Sequence, residues 1–346
     1  MRRLIKRGFA GVAIAAFVLW PGGGYGPGIS QAHAQQRQPT PVKLRMDVFF
    51  YGAHVPLLLG IVDGIYKKYG LDVTAETGRG SATTIQTVAN GSDDFGFADG
   101  GTLAKLVAKG LKAKMIVGML ETSAIAVLAL PDSGIKEPRD LNGKSVGTAP
   151  GSATDQLFPA FAKSAGVDLD SIKRIAVNDV STRDSMFLVK KTDFDVALTV
   201  AQLPILQEKC GCKLTVLRFA DYGLNLTSNG IVASDRLLAE KPDLARRFAR
   251  ATVESIALAV KDPEHAVDAF FQYAKDTGLS RKVVDEQWRE AIPLLHTKAT
   301  VHRPYGDMDA HDWQATLDTL SEYSNLPKGA VKPEMVYTNA FLPKTH

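Results

Sequence analysis

The chain has 346 residues, 41 Lys and Arg against 37 Asp and Glu, 45% hydrophobic side chains and two cysteines. Residues 1–34 hold four of the basic groups (Arg2, Arg3, Lys6 and Arg7) and no acid, which leaves 37 against 37. A balanced remainder has no single-sign field to draw in nucleic acid or an anionic membrane, and its roughly 310 residues exceed what one hydrophobic core usually serves, so two lobes are expected.

The basic residues precede an apolar run from Phe9 to Trp20 and then Ala32-His33-Ala34. This order predicts a secretory signal peptide over 1–34 with an A-x-A cleavage site, and an exported, periplasmic mature protein. Gln35 to Pro41 reads as a flexible lead-in. No later stretch approaches the roughly 20 apolar residues of a membrane-spanning helix.

Val42, Leu44, Met46 and Val48 alternate with Lys43, Arg45 and Asp47, the period of a strand. The loop that follows carries three aromatics in a row, Phe49, Phe50 and Tyr51, then Gly52, Ala53 and His54. Such aromatic bodies either seal a core or receive a flat ligand. Pro56 suits a first helical turn, and Leu57, Leu58, Ile61, Ile65 and Tyr66 recur at helical spacing as far as Gly70, before a second strand opens at Leu71. The result is a βαβ unit, and in open parallel sheets ligands bind beyond the carboxyl ends of the strands, where Phe49 to His54 would lie.

These residues resemble the opening of solute-binding proteins in the nitrate/sulfonate/taurine and thiamine-pyrimidine-precursor family, which serve ATP-driven importers. In the pyrimidine-precursor branch the first strand ends in roughly D-W-x-P-N-x-x-H. Asp47 and His54 stand at the first and last of these positions, while Val48, Phe50 and Tyr51 occupy the Trp, Pro and Asn places.

Next, Gly78-Arg79-Gly80-Ser81-Ala82-Thr83-Thr84 precedes Ile85, Val88 and Ala89 and predicts a helix start, whose free N–H groups are either ordinarily capped or turned to an anion or polar acceptor. The resemblance implies ligand contact at Gly80, Ser81, Ala82 and Thr83. Asn90 to Gly101 resembles the family's G-x-x-D-F-G turn and short strand. Asp94 there has a turn role, and Asp99, followed by Gly100, reads either as a solvated loop acid or as an acceptor for an amino group or ring N–H.

Two strands follow, Met115 to Leu120 and Ala124 to Leu130, and Leu141 to Gly147 resembles the family's entry into its second lobe, L-K-G-K-x-V-G. Thr148 to Asp155 is a second small-residue loop feeding a helix, with Gly151, Ser152, Ala153 and Thr154 as candidate ligand contacts. Two such loops, one per half, suit a ligand clamped between lobes, although short polar βα loops are also the rule. Arg183 reads as a fork for a carboxylate or phosphate, or as an exposed pair with Asp184. Cys210 and Cys212 read as a turn, open to bridging after export. Asn225 and Asn229 are amide candidates for a ligand or turn residues. The rest is helical, with Trp288 and Trp313 at core spacing, and His296 and His311 lack metal-ligand spacing.

The whole predicts an α/β, two-lobed, type II periplasmic-binding-protein-like fold, each lobe a mostly parallel sheet flanked by helices. Residues 41–130 with 234–346 form lobe one, and residues 131–233 form lobe two. By resemblance the function is capture of a small, flat aromatic or heteroaromatic ligand and its delivery to an ABC permease and its ATPase, by a monomer that uses no cofactor or metal. The alternatives are a sulfonate- or nitrate-binding relative and an exported enzyme with His54 as base. Against the enzyme, no nucleophile elbow, metalloprotease motif or cofactor fingerprint is found.

Overall fold

The computed structural model describes residues 38–344, and the leader expected over 1–34 lies outside them. In chain order the first part comprises β1 (Thr40–Arg45), α1 (Val55–Val62), α2 (Ile65–Lys68), β2 (Leu71–Glu76), α3 (Ser81–Asn90), β3 (Phe95–Asp99), α4 (Gly100–Ala108) and β4 (Ala113–Gly118). Then come β5 (Ile125–Ala129), β6 (Ser145–Thr148), α5 (Ala153–Ser164), β7 (Lys173–Ala176), α6 (Val180–Leu188), β8 (Phe194–Leu198), α7 (Gln202–Cys210), β9 (Thr215–Arg218) and β10 (Asn229–Ser234). The chain closes with α8 (Asp235–Glu240), α9 (Pro242–Lys261), α10 (Pro263–Tyr273), α11 (Arg281–Ala291), α12 (Ala310–Tyr323) and α13 (Pro333–Val336).

The strands form two five-stranded sheets, ordered β2-β1-β3-β10-β4 and β7-β6-β8-β5-β9. Each sheet repeats one topology, although no repeat is visible in the sequence. Within each, four strands run one way and one runs against them: β10 is antiparallel to β3 and β4, and β5 is antiparallel to β8 and β9. These opposed strands are the two that follow the crossings from one sheet to the other, so the reversal is the mark of the crossing itself.

This pairing corrects the expected division. β5 sits in the second sheet although residues 41–130 are expected in the first lobe, and β10 sits in the first sheet although it falls almost wholly within 131–233. Alternation of apolar residues fixes which face of a strand is buried but not which strand it pairs with. β3, β5, β8 and β10 are buried on both faces, as central strands covered by helices on each side should be.

The expected helix from Pro56 to Gly70 is two helices, because Gly64 takes φ +72° and breaks the run between α1 and α2. α9 presents Leu244, Phe248, Ala251 and Ile256 inward, and Trp288 and Trp313 are both fully buried. The tail docks on an edge strand: Val336 is buried, Tyr337 bridges Met115, and Thr338 N donates to Met115 O at 2.9 Å. Cys210 and Cys212 are joined as a disulfide at the end of α7.

Candidate functional site

Beyond the carboxyl end of β1 the chain turns inward around one carboxylate. Asp47 is buried, and its Oδ1 accepts from the Val48 amide at 2.9 Å and from His54 Nε2 at 3.1 Å, while Oδ2 accepts from Tyr51 Oη at 3.2 Å and Asn229 Nδ2 at 3.0 Å. The other ring nitrogen of His54, Nδ1, accepts from Tyr51 N at 3.3 Å, which fixes the tautomer with the proton on Nε2. Burial, with Asp47 beside it, pushes the Tyr51 phenol well up and keeps it a donor. Tyr51 and His54 have no solvent exposure, so their task in this form is to hold the loop.

The aromatic triplet therefore divides. Tyr51 enters the core, while Phe49 and Phe50 remain half-buried and line a hollow of about 460 Å³ together with Thr77 and Tyr273. Phe50 meets Tyr273 edge to face at 5.8 Å between ring centroids, and Tyr273 is itself fixed by bonds between its hydroxyl and Ala75 N and O at 2.7 and 2.9 Å. Phe49 and Phe50 follow β1 and Thr77 follows β2, so the hollow opens at the carboxyl edge of the first sheet. Aromatic faces around a space of this size suit a small flat molecule.

The helix starts behave differently from two jaws held apart. Gly80 takes φ +120°, and any side chain there would meet Gly151 O at 2.4 Å. Ala82 N donates to Gly151 O at 3.0 Å, so the two glycine loops touch directly. Three of their hydroxyls are already engaged. Ser81 Oγ accepts from Asp99 N at 3.2 Å, Ser152 Oγ accepts from Asp155 N at 3.1 Å, and Ser152 and Thr154 share a bond at 3.0 Å. Ala153 is buried in the first turn of α5, and Thr83 stays exposed.

Asp99 is not a solvated loop acid. It is buried, caps α4 by accepting from Thr102 N at 2.6 Å, and is pushed up to about 6 chiefly by desolvation. Gly100, next to it, donates to Ser228 O at 2.8 Å.

Two predicted residues lie elsewhere. Arg183 is buried rather than exposed. Its Nη1 donates to Thr154 Oγ1 at 2.8 Å, Nη2 to Asp184 Oδ1 at 2.8 Å, and Nε lies 2.6 Å from Asp195 Oδ1 in an ion pair without hydrogen-bond alignment. With two carboxylates on it, the fork is occupied. Asn225 is exposed, accepts from Ser123 N at 3.3 Å, and lines a second hollow at the crossings.

Sequence reasoning missed Tyr273 and Gln287. Gln287 is fully buried, accepts from Gly52 N at 2.8 Å and donates to Ala201 O at 2.5 Å, tying the aromatic loop to the turn after β8. Gln287 lies 235 positions beyond Gly52 and Tyr273 lies 198 beyond Ala75, and no local pattern announces such a contact.

The model of the family described as NMT1/THI5 like matches residues 52–266, more than half of the chain. The chain belongs to the NMT1/THI5-like family. Among curated relatives, this family member is 23% identical over 318 residues to riboflavin-binding protein RibY of Chloroflexus aurantiacus, covering 90% of this chain and 89% of that one. It is also 23% identical over 297 residues to the 4-amino-5-hydroxymethyl-2-methylpyrimidine phosphate synthase of Legionella pneumophila, covering 84% and 89%. Among solved structures, the alkanesulfonate-binding protein SsuA of Xanthomonas axonopodis pv. citri, bound to MOPS, superposes with a TM-score of 0.68 at 17% identity over 87% of this chain and 99% of that one. At that identity the likeness establishes the periplasmic-binding-protein fold of the NMT1/THI5-like chain and nothing finer.

Proposed function

We propose that the protein is the solute-binding component of an ABC importer, working in the periplasm as a monomer without enzymatic turnover, and that its ligand is a small flat heteroaromatic molecule of the pyrimidine or flavin kind. The observation that carries this reading is the hollow walled by Phe49, Phe50 and Tyr273 at the carboxyl edge of the first sheet. Family membership and the names of two relatives, one a riboflavin binder and one a pyrimidine synthase, point toward ring ligands. The Asp47 network supports the reading by giving the aromatic loop a rigid base.

The alkanesulfonate-bound neighbour favours a second reading, a sulfonate ligand on the helix starts. It has less support here, because Ser81, Ser152 and Thr154 are committed to internal bonds. The enzyme reading with His54 as base meets the same difficulty, since both ring nitrogens are engaged.

A thermal-shift screen against pyrimidines, flavins, aromatic acids, sulfonates and nitrate tests the assignment. A ring ligand at about 100 times its dissociation constant adds roughly 2.7 kcal/mol. Stabilisation by sulfonates or nitrate alone refutes the ring ligand, and product formation from a bound ring refutes simple transport.

A further inference from the structure

A second hollow of about 480 Å³ lies where the chain crosses between the sheets, bounded by Glu121 on the first crossing, Asn225 and Thr227 on the second, and His296, Thr297 and Asp312 from the C-terminal part. Glu121 is only 5% exposed. Its Oε2 accepts from Thr297 N at 3.3 Å and from the Thr300 hydroxyl, and the Thr297 hydroxyl donates to Asp312 Oδ2 at 2.6 Å. These bonds engage Oε2, while Trp313 Nε1, which borders a small void shared with Glu121, is likewise without a partner. Glu121 Oε1 is left buried with no partner, and His296 Nδ1 is in the same condition.

Buried carboxylate oxygens are almost always paired, because desolvating them unpaired is expensive. Desolvation pushes the Glu121 carboxyl up to about 7, and the negative charges of Asp312 and Asp307 push the same way. The neighbouring cations do not answer it. Arg303 is held by Asp307 and Asp309 at 3.4 and 2.7 Å, and Lys298 stays exposed at the rim. Of the residues that line the hollow, only the exposed Lys298 carries a positive charge.

We propose that the hollow is a second ligand site, separate from the aromatic one, which takes a small molecule carrying a protonated amine held between Glu121 and Asp312. Both crossings line it, so an occupant bridges the two connections about which the sheets would move, and it biases how readily they part.

Titration calorimetry on the purified protein with methylamine, ethanolamine, putrescine and spermidine, and with butanediol as the uncharged match for putrescine, tests this. At least one amine binds with a dissociation constant below about 1 mM and butanediol does not. Glu121→Gln and Asp312→Asn each weaken that binding about tenfold or more, whereas Phe50→Ala leaves it unchanged. Binding also ionises Glu121, so affinity rises between about pH 6 and about pH 8 and the measured enthalpy depends on the buffer that takes up the proton. The proposal is overturned if no amine binds at about 10 mM, if butanediol binds equally well, or if neither substitution changes the affinity. Asp312→Asn keeps the test decisive should Glu121→Gln fail to fold.

Discussion

Ala82 donates its backbone N–H to the carbonyl of Gly151 at 3.0 Å, so the helix start after β2 and the helix start after β6 are in contact. Gly80 lies at the same point with φ +120° and no room for a methyl group, since the obstacle is the Gly151 backbone. Gly80→Ala must therefore strain its own backbone and push the loops apart. A loss of about 2–4 kcal/mol in urea denaturation is expected, with a larger radius of gyration in solution scattering. An unchanged radius and stability would mean that the loops are not in contact in solution.

Gln287 joins the aromatic loop to the second sheet through Gly52 N and Ala201 O. Gln287→Leu keeps the bulk but leaves a buried N–H and a buried C=O without partners, a cost of about 2–5 kcal/mol. Denaturation curves measure it, and a loss under about 1 kcal/mol would show that water replaces both bonds.

Much of this fold was legible because its cues are local. Val42 and Leu44 alternate with polar residues in β1, glycines precede α3 and α5, and Asp47 with His54 carried the family resemblance. The site was less legible, because its partners are distant. Tyr51 looks like Phe49 and Phe50 in sequence and differs only in a hydroxyl that reaches Asp47. Arg183 beside Asp184 reads as a surface pair until β8 brings Asp195 beneath it. The lobe boundary failed at β5 and β10 for the same reason, since strand pairing is a property of the whole sheet.

Asp99 gives a pH signature. Its carboxyl rises from 3.8 to about 6 on folding, so the folded chain binds more protons than the unfolded one between those values. Stability from this group is present in full below about pH 4 and is lost as the pH climbs through about 6, an effect of order 3 kcal/mol. Asp99→Asn keeps an acceptor for Thr102 N and removes the titration. The stability difference between wild type and Asp99→Asn should therefore shift against wild type from pH 4 to pH 6.5 by about that amount, as followed by chemical denaturation. Parallel curves would show that Asp99 ionises normally.

Arg183→Met leaves Asp184 and Asp195 buried together without their cation. A loss of about 3–5 kcal/mol is expected, because removing one partner of a buried ion cluster strands the others. Adding Asp195→Asn should recover part of it. Full stability of the single variant would contradict a structural role and return Arg183 to the ligand.

The most direct test of the central claim is the affinity of a ring ligand, found by the screen above, for wild type, Phe49→Ala, Phe50→Ala and Arg183→Lys by titration calorimetry, with each variant's fold checked by circular dichroism. The two Phe variants should bind about tenfold or more weakly, with Arg183→Lys near wild type. Unchanged binding by both Phe variants would place the ligand elsewhere and contradict the account.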